Sequence, residues 1–262
     1  VPLPGRSHLQ RRYCRIVLRC LGIRITVSGG PIRNVPGVLV VSGHVSWVDV
    51  FAIGAVMPGA FVAKAEMIGW PGLGALARLM KVIPIERDNL RRLPDVVAAV
   101  AERLRAGRTV VAFPEGTTWC GLGYGPFRPA MFQAAIDAGV PVQPVALTFV
   151  DSHGCLTTAG AYVGEQPLID SIRTILGQRD LTLRIEILPR ISAKHVRPMD
   201  DRKALRTAAH RAISEALELA VGDYDAHLRP ATCQARPLTI PVVVDPLTEL
   251  ETIAANARRT AA

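Results

Sequence analysis

The first 48 residues of this 262-residue chain contain no aspartate and no glutamate, although they carry seven arginines (Arg6, Arg11, Arg12, Arg15, Arg19, Arg24 and Arg33). Other absences narrow the possibilities further. No uncharged apolar run reaches the roughly 18 residues of a spanning helix, so this sequence is not expected to cross a bilayer. The five cysteines (Cys14, Cys20, Cys120, Cys155, Cys233) form no CxxC pair. That, with their odd number, suggests neither a disulfide framework nor a zinc site and suits a reducing compartment. Gly-x-Ser-x-Gly does not occur, which excludes the nucleophile elbow of serine hydrolases. The histidines show no metal-ligand spacing, so metal-dependent hydrolysis is not expected. No nucleic-acid-binding motif and no internal repeat appear.

What is present is a globular composition, 49% hydrophobic and 20% charged, with a formal charge of +9. Mean hydropathy is +0.26 and the pI about 9.9. A basic excess of this size points to an acidic partner, such as phosphate groups or an anionic membrane surface. On a helical wheel of "HLQRRYCRIVLRCL", Leu9, Tyr13, Ile16, Val17 and Cys20 share one arc, with Arg11, Arg12, Arg15 and Arg19 opposite. That pattern predicts either a helix at the headgroup level of a membrane or a helix packed on the domain with a solvated basic face. Three segments are expected: a basic amphipathic segment over 1–29, an α/β domain over 30–221, and a Pro-rich, irregular extension over 222–262.

Short β-branched runs alternate with helical patterns. Strands are expected at 23–28, 37–41, 60–64, 81–86, 109–113, 142–149 and 181–188, and helices at 47–56, 91–106, 128–138, 167–177 and 200–221. Gly107 and Gly139 mark two helix ends. Continuous apolar strands between helices imply a single α/β domain, its mixed, mostly parallel sheet of about seven strands flanked by helices. Ligands of such sheets bind at the carboxyl ends of the strands.

Chemistry-bearing residues fall at three of those ends. His44 and Asp49 follow the strand at 37–41, in "VVSGHVSWVDV". Arg87 follows 81–86, and Glu115 and Gly116 follow 109–113, in "VVAFPEGTTW". A His-x4-Asp pair alone arises by chance about 0.3 times in a chain of this composition, so it gains weight only from its companions. An imidazole ending a strand, with a carboxylate one turn into the next helix, suits a general base and its orienting acid. Glu115 is alternatively a structural carboxylate pairing with an internal arginine.

The order and spacing of four blocks resemble the glycerolipid acyltransferases of the PlsC-like, lysophosphatidic acid acyltransferase type: "HVSWVD" (44–49), "KVIPIER" (81–87), "FPEGTTW" (113–119) and "VPVQPVA" (140–146). The likeness covers about residues 30–190. It implies transfer of a fatty acyl chain from a thioester of coenzyme A or acyl carrier protein to a hydroxyl of 1-acylglycerol-3-phosphate or glycerol-3-phosphate. No cofactor is implied beyond that co-substrate. His44 is the implied base, Asp49 its partner, and amides around Gly116 and Thr117 the implied oxyanion donors. Lys64 in "FVAKAEM", Arg87, and Arg128 in "PFRPA" match the family's basic positions and are expected to hold the acceptor's phosphate, with Thr117 and Thr118 beside the substrate. An already activated thioester needs no enzyme nucleophile, consistent with the missing serine elbow.

One departure stands out. Where the family has Arg-Ser after Glu-Gly-Thr, this chain has Thr118 and Trp119, a feature shared with relatives acylating other acceptors such as lyso-ornithine lipid. Two other readings follow: an acyltransferase for such a lysolipid, or a catalytically silent lipid-binding protein. The Gly-rich apolar stretch 67–80 is expected to line the acyl chain's path or meet the membrane. A peripheral location on the cytoplasmic face of the cell membrane is expected.

Overall fold

The computed structural model describes residues 6–30, 37–65, 80–85, 90–164, 166–178, 180–192 and 201–227. All seven expected strands form: β1 Arg24–Gly29, β2 Leu39–Ser42, β3 Ala60–Lys64, β4 Ile83–Ile85, β5 Val110–Ala112, β6 Val142–Val150 and β7 Thr182–Ile187. The helices are α1 Arg6–Cys20, α2 Val48–Val56, α3 Leu93–Arg105, α4 Ala130–Ala138, α5 Leu168–Gly177 and α6 Asp201–His227. The last runs six residues beyond its expected end and into the segment read as irregular.

The strands form one sheet in the order β1-β7-β6-β2-β5-β3-β4. β6, β2, β5, β3 and β4 run parallel, β7 is antiparallel to β6, and β1 is parallel to β7. Side chains alternate across β2, with Val40 entering one core and Leu39 and Val41 the other. Helices α1, α2 and α5 close the first face; α3, α4 and α6 close the second. Eight of the nine residues of α2 are buried, as expected of a helix covered on every side.

The packing of α1 corrects the helical-wheel reading. Its buried stripe is Gln10, Cys14 and Leu18, whereas Leu9 and Ile16 are 58% and 48% exposed. The reason is a close approach between helices. A Cβ on Gly54 of α2 would lie 2.8 Å from the Cys14 sulfur, so a small residue on α2 receives the Cys14 face of α1. Gln10 donates to the Gly59 carbonyl at 2.9 Å and Arg11 to that of Val56 at 3.2 Å. Arg11 therefore belongs to the inner half of the helix, while Arg12, Arg15 and Arg19 remain outward. Of the stretch 67–80 only Met80 lies among the described residues; it is buried and accepts from Gln10.

Candidate active site

The sheet's register brings the first and third blocks together. β2 and β5 pair Val41 with Ala112, and the same offset carried three residues further sets His44 opposite Glu115. The contact is direct: the His44 amide donates to Glu115 Oε2 at 2.7 Å. The Trp119 amide donates to the His44 carbonyl at 2.7 Å. Both backbone polar groups of His44 are thus held by the loop that follows β5. Its ring stacks on Phe113, centroids 4.0 Å apart and planes inclined by 16°.

The imidazole is aimed from behind. His44 Nδ1 lies 3.0 Å from Asp49 Oδ2. A carboxylate only accepts, so Nδ1 carries the proton and Nε2 the lone pair. Asp49 is fully buried, and three groups converge on Oδ2, since the amides of Val45 and Ser46 donate to it at 2.7 and 2.8 Å. Together with the positive end of α2, these donors offset the cost of burying the charge. Asp49 Oδ1 is buried with no hydrogen-bond partner among the described residues.

Glu115 has a different role from the arginine partner considered above. Its two oxygens accept two amides, His44 N–H and, at 3.0 Å, Gly125 N–H. It is 5% exposed. Burial pushes its carboxyl from 4.5 up to about 7, against the lowering effect of the two amides, and the neighbouring Asp49 charge adds to the rise. This carboxylate ties the end of β2 to the distal part of the β5 loop.

Gly116 has φ +76°, a backbone that favours glycine, and a Cβ there would lie 3.1 Å from Nε of the Arg128 side chain that lies over it. Its amide donates to the Phe113 carbonyl at 3.2 Å. The Gly116 amide is thus engaged in the turn, and that of Thr117 follows it. Thr117 and Arg128 are exposed and Thr118 half-buried. Lys64 ends β3 at the level of Ile85 in β4, on the same sheet edge as His44. Arg87 lies outside the described residues.

A small crevice opens beside His44 and Glu115, walled by Trp119 and Tyr124 of the β5 loop and by Leu147 of β6 with Ile213 and Leu217 of α6. The α6 side of this wall was not anticipated, since it reaches the site from about 170 residues away in sequence. Nor was the ring of Phe113, met in the sequence only as the first residue of the third block. Trp119 Nε1 is buried without a partner among the described residues. No cluster of three metal-binding side chains occurs there either.

The family model described as Acyltransferase matches residues 24–148. The chain is 36% identical over 209 residues to a 1-acyl-sn-glycerol-3-phosphate acyltransferase of Neisseria meningitidis serogroup B, covering 80% of this chain and 79% of that protein. It is 32% identical over 215 residues to a lyso-ornithine lipid O-acyltransferase of Pseudomonas aeruginosa, covering 82% and 80%. The crystal structure of the 1-acyl-sn-glycerophosphate acyltransferase PlsC from Thermotoga maritima shares the fold, with a TM-score of 0.63 at 20% identity over 85% of this chain and 81% of that one.

Proposed function

The chain belongs to the PlsC-like acyltransferase family, and we propose that it transfers a fatty acyl group from coenzyme A to the free hydroxyl of 1-acylglycerol-3-phosphate, with His44 and Asp49 as the general-base dyad. The observation that carries this is the orientation of the imidazole, bonded through Nδ1 to a buried carboxylate with its backbone clamped on both sides. His44 Nε2 takes the hydroxyl proton as the oxygen attacks the thioester carbonyl. The tetrahedral oxyanion collapses, the C–S bond breaks, and the imidazolium returns the proton to the departing thiolate. Asp49 stays ionised and stabilises the imidazolium. The Thr117 amide serves the oxyanion. Lys64, Arg87 and Arg128, with Thr118, hold the acceptor's headgroup phosphate.

Thr118 and Trp119 favour a second reading of the acceptor, a lyso-ornithine lipid, because they put an uncharged hydroxyl where the family carries a guanidinium and an indole where it carries a serine. Purified protein supplied with labelled palmitoyl-CoA and either acceptor decides between them. The first reading expects labelled product from the phosphate acceptor at a kcat/KM at least about tenfold higher, the worth of one charge-assisted bond. The reverse preference would establish the second, and binding without product would leave a silent lipid binder.

The outward face of α1 joins Leu9 and Ile16 to Arg12, Arg15 and Arg19. It suits an anionic membrane at headgroup depth, and we place the protein peripherally on the cytoplasmic leaflet. Among the described residues no helix is long and apolar enough to cross a membrane. Replacing the three arginines by glutamine is expected to weaken sedimentation with anionic vesicles by about 3 kcal/mol, near 1 kcal/mol per arginine removed. Equal binding to neutral and anionic vesicles would rule out this docking face.

A further inference from the structure

His210 belongs to none of the four blocks, lies 166 residues from His44, and sits half-buried on α6. Its Nε2 is 3.2 Å from the Gly125 carbonyl. A carbonyl only accepts, so this nitrogen is the donor. The imidazole also meets Tyr124 and Phe127 edge-on, at 5.4 and 5.0 Å between centroids. The residue it grips is the one whose amide donates to Glu115, and Glu115 in turn accepts from the His44 amide. A chain of three hydrogen bonds therefore runs from α6 through Gly125 and Glu115 to the backbone of the base.

The need for such a grip is written in the loop. Residues 120–125 read "CGLGYG", and glycines at alternate positions make this stretch costly to order and free to choose other conformations. Gly125 itself cannot carry a side chain, since a Cβ would come within 2.3 Å of the Trp119 ring. Contacts from outside the loop hold it in place, and α6 supplies two: His210 at the Gly125 carbonyl, and Glu218, which accepts from the Tyr124 hydroxyl at 3.0 Å; of these only His210 touches the peptide of Gly125.

We infer that His210 is a positioning residue for acyl transfer: it holds Gly125 so that the Gly125 amide meets Glu115, and Glu115 sets the place of His44. This rests on the base role given to His44. The test is a double-mutant cycle between His210 and Glu115 on the full chain, with His44→Ala run in parallel. His210→Phe keeps the edge-on ring contacts and removes the donor; His210→Gln keeps a donor. His210→Phe is expected to lower kcat by about tenfold, the worth of one buried hydrogen bond, with little change in KM for palmitoyl-CoA. His210→Gln is expected to recover most of that loss. In a Glu115→Gln background His210→Phe should cost almost nothing more, because the link it supports is already cut. The acid limb of the kcat profile should also move to higher pH in His210→Phe, since Glu115 loses a donor that favours its carboxylate form.

Equal losses from His210→Phe in both backgrounds, or a uniform fall in kcat with the limb unmoved, would overturn the inference. If His210→Phe does not fold, His210→Asn, whose shorter amide falls short of Gly125, takes its place in the same cycle under the same criteria. Transfer persisting in His44→Ala would instead overturn the base assignment, whatever the cycle gives.

Discussion

Alanine in place of His44 is expected to lower kcat by about three orders of magnitude, the middle of the range for loss of a positioned general base. The fold should survive. The side chain is already 16% exposed at the crevice, and the clamp on residue 44 is made by backbone atoms that alanine retains. The cost is the stack on Phe113 and one bond to Asp49, on the order of 1 kcal/mol of stability. Asp49→Asn belongs to the same prediction and separates charge from geometry. Oδ2 accepts all three hydrogen bonds, so an asparagine carbonyl placed there keeps the tautomer and the aim of the ring. What disappears is the negative charge facing the imidazolium, and kcat should fall by about 10²- to 10³-fold. Its amide nitrogen would then occupy the Oδ1 position, buried and unpartnered among the described residues, at a further cost of about 1–3 kcal/mol in stability. Steady-state kinetics with thermal melts of both variants check these expectations; an Asp49→Asn protein of normal activity would remove the carboxylate from the mechanism.

The second large effect belongs to Glu115. Two amides point at its two oxygens, and only a carboxylate accepts both. Glutamine can satisfy one and must turn an NH2 group toward the other, so kcat should fall about 10- to 100-fold. The pH behaviour carries a clear sign. The carboxyl is raised from 4.5 to about 7 in the folded protein, so the native state holds this proton more tightly than the unfolded chain. The stability that follows is fully present below about 4.5 and is lost as the pH rises through about 7. Activity runs the other way, because the clamp on His44 needs the ionised form. Melting temperatures between pH 4.5 and 8 should therefore decline with pH more steeply in the wild-type protein than in Glu115→Gln. Parallel profiles would mean that Glu115 does not titrate in this range.

The strands were legible as short runs rich in β-branched residues; the central β2, β5 and β6 are buried on both faces, whereas β1 at the edge is mostly exposed. The contact of His44 with Asp49 was legible because the two are five residues apart and the turn between them is local. Pairings made by tertiary packing were not. Nothing local in α1 says that Cys14 rather than Tyr13 will face inward; that is decided by Gly54 on another helix. Nothing in "FPEGT" says that its carboxylate will meet amides of residues 44 and 125, or that the Gly116 amide will close its own turn on Phe113. The α6 side of the crevice carries no block of its own, and its residues read as an ordinary amphipathic helix.

In the proposed reaction the acyl group passes directly from thioester to acceptor hydroxyl, with His44 taking the hydroxyl proton and no acyl group carried on the protein. The most direct measurement mixes the enzyme with labelled palmitoyl-CoA, quenches in acid at short times, and separates label in protein, free fatty acid and lipid, with and without lysolipid acceptor. Direct transfer predicts label in the lipid fraction only when acceptor is supplied, none bound to protein, and none in lipid with His44→Ala. Label bound covalently to the protein before acceptor is added, or undiminished lipid product from His44→Ala, would contradict it.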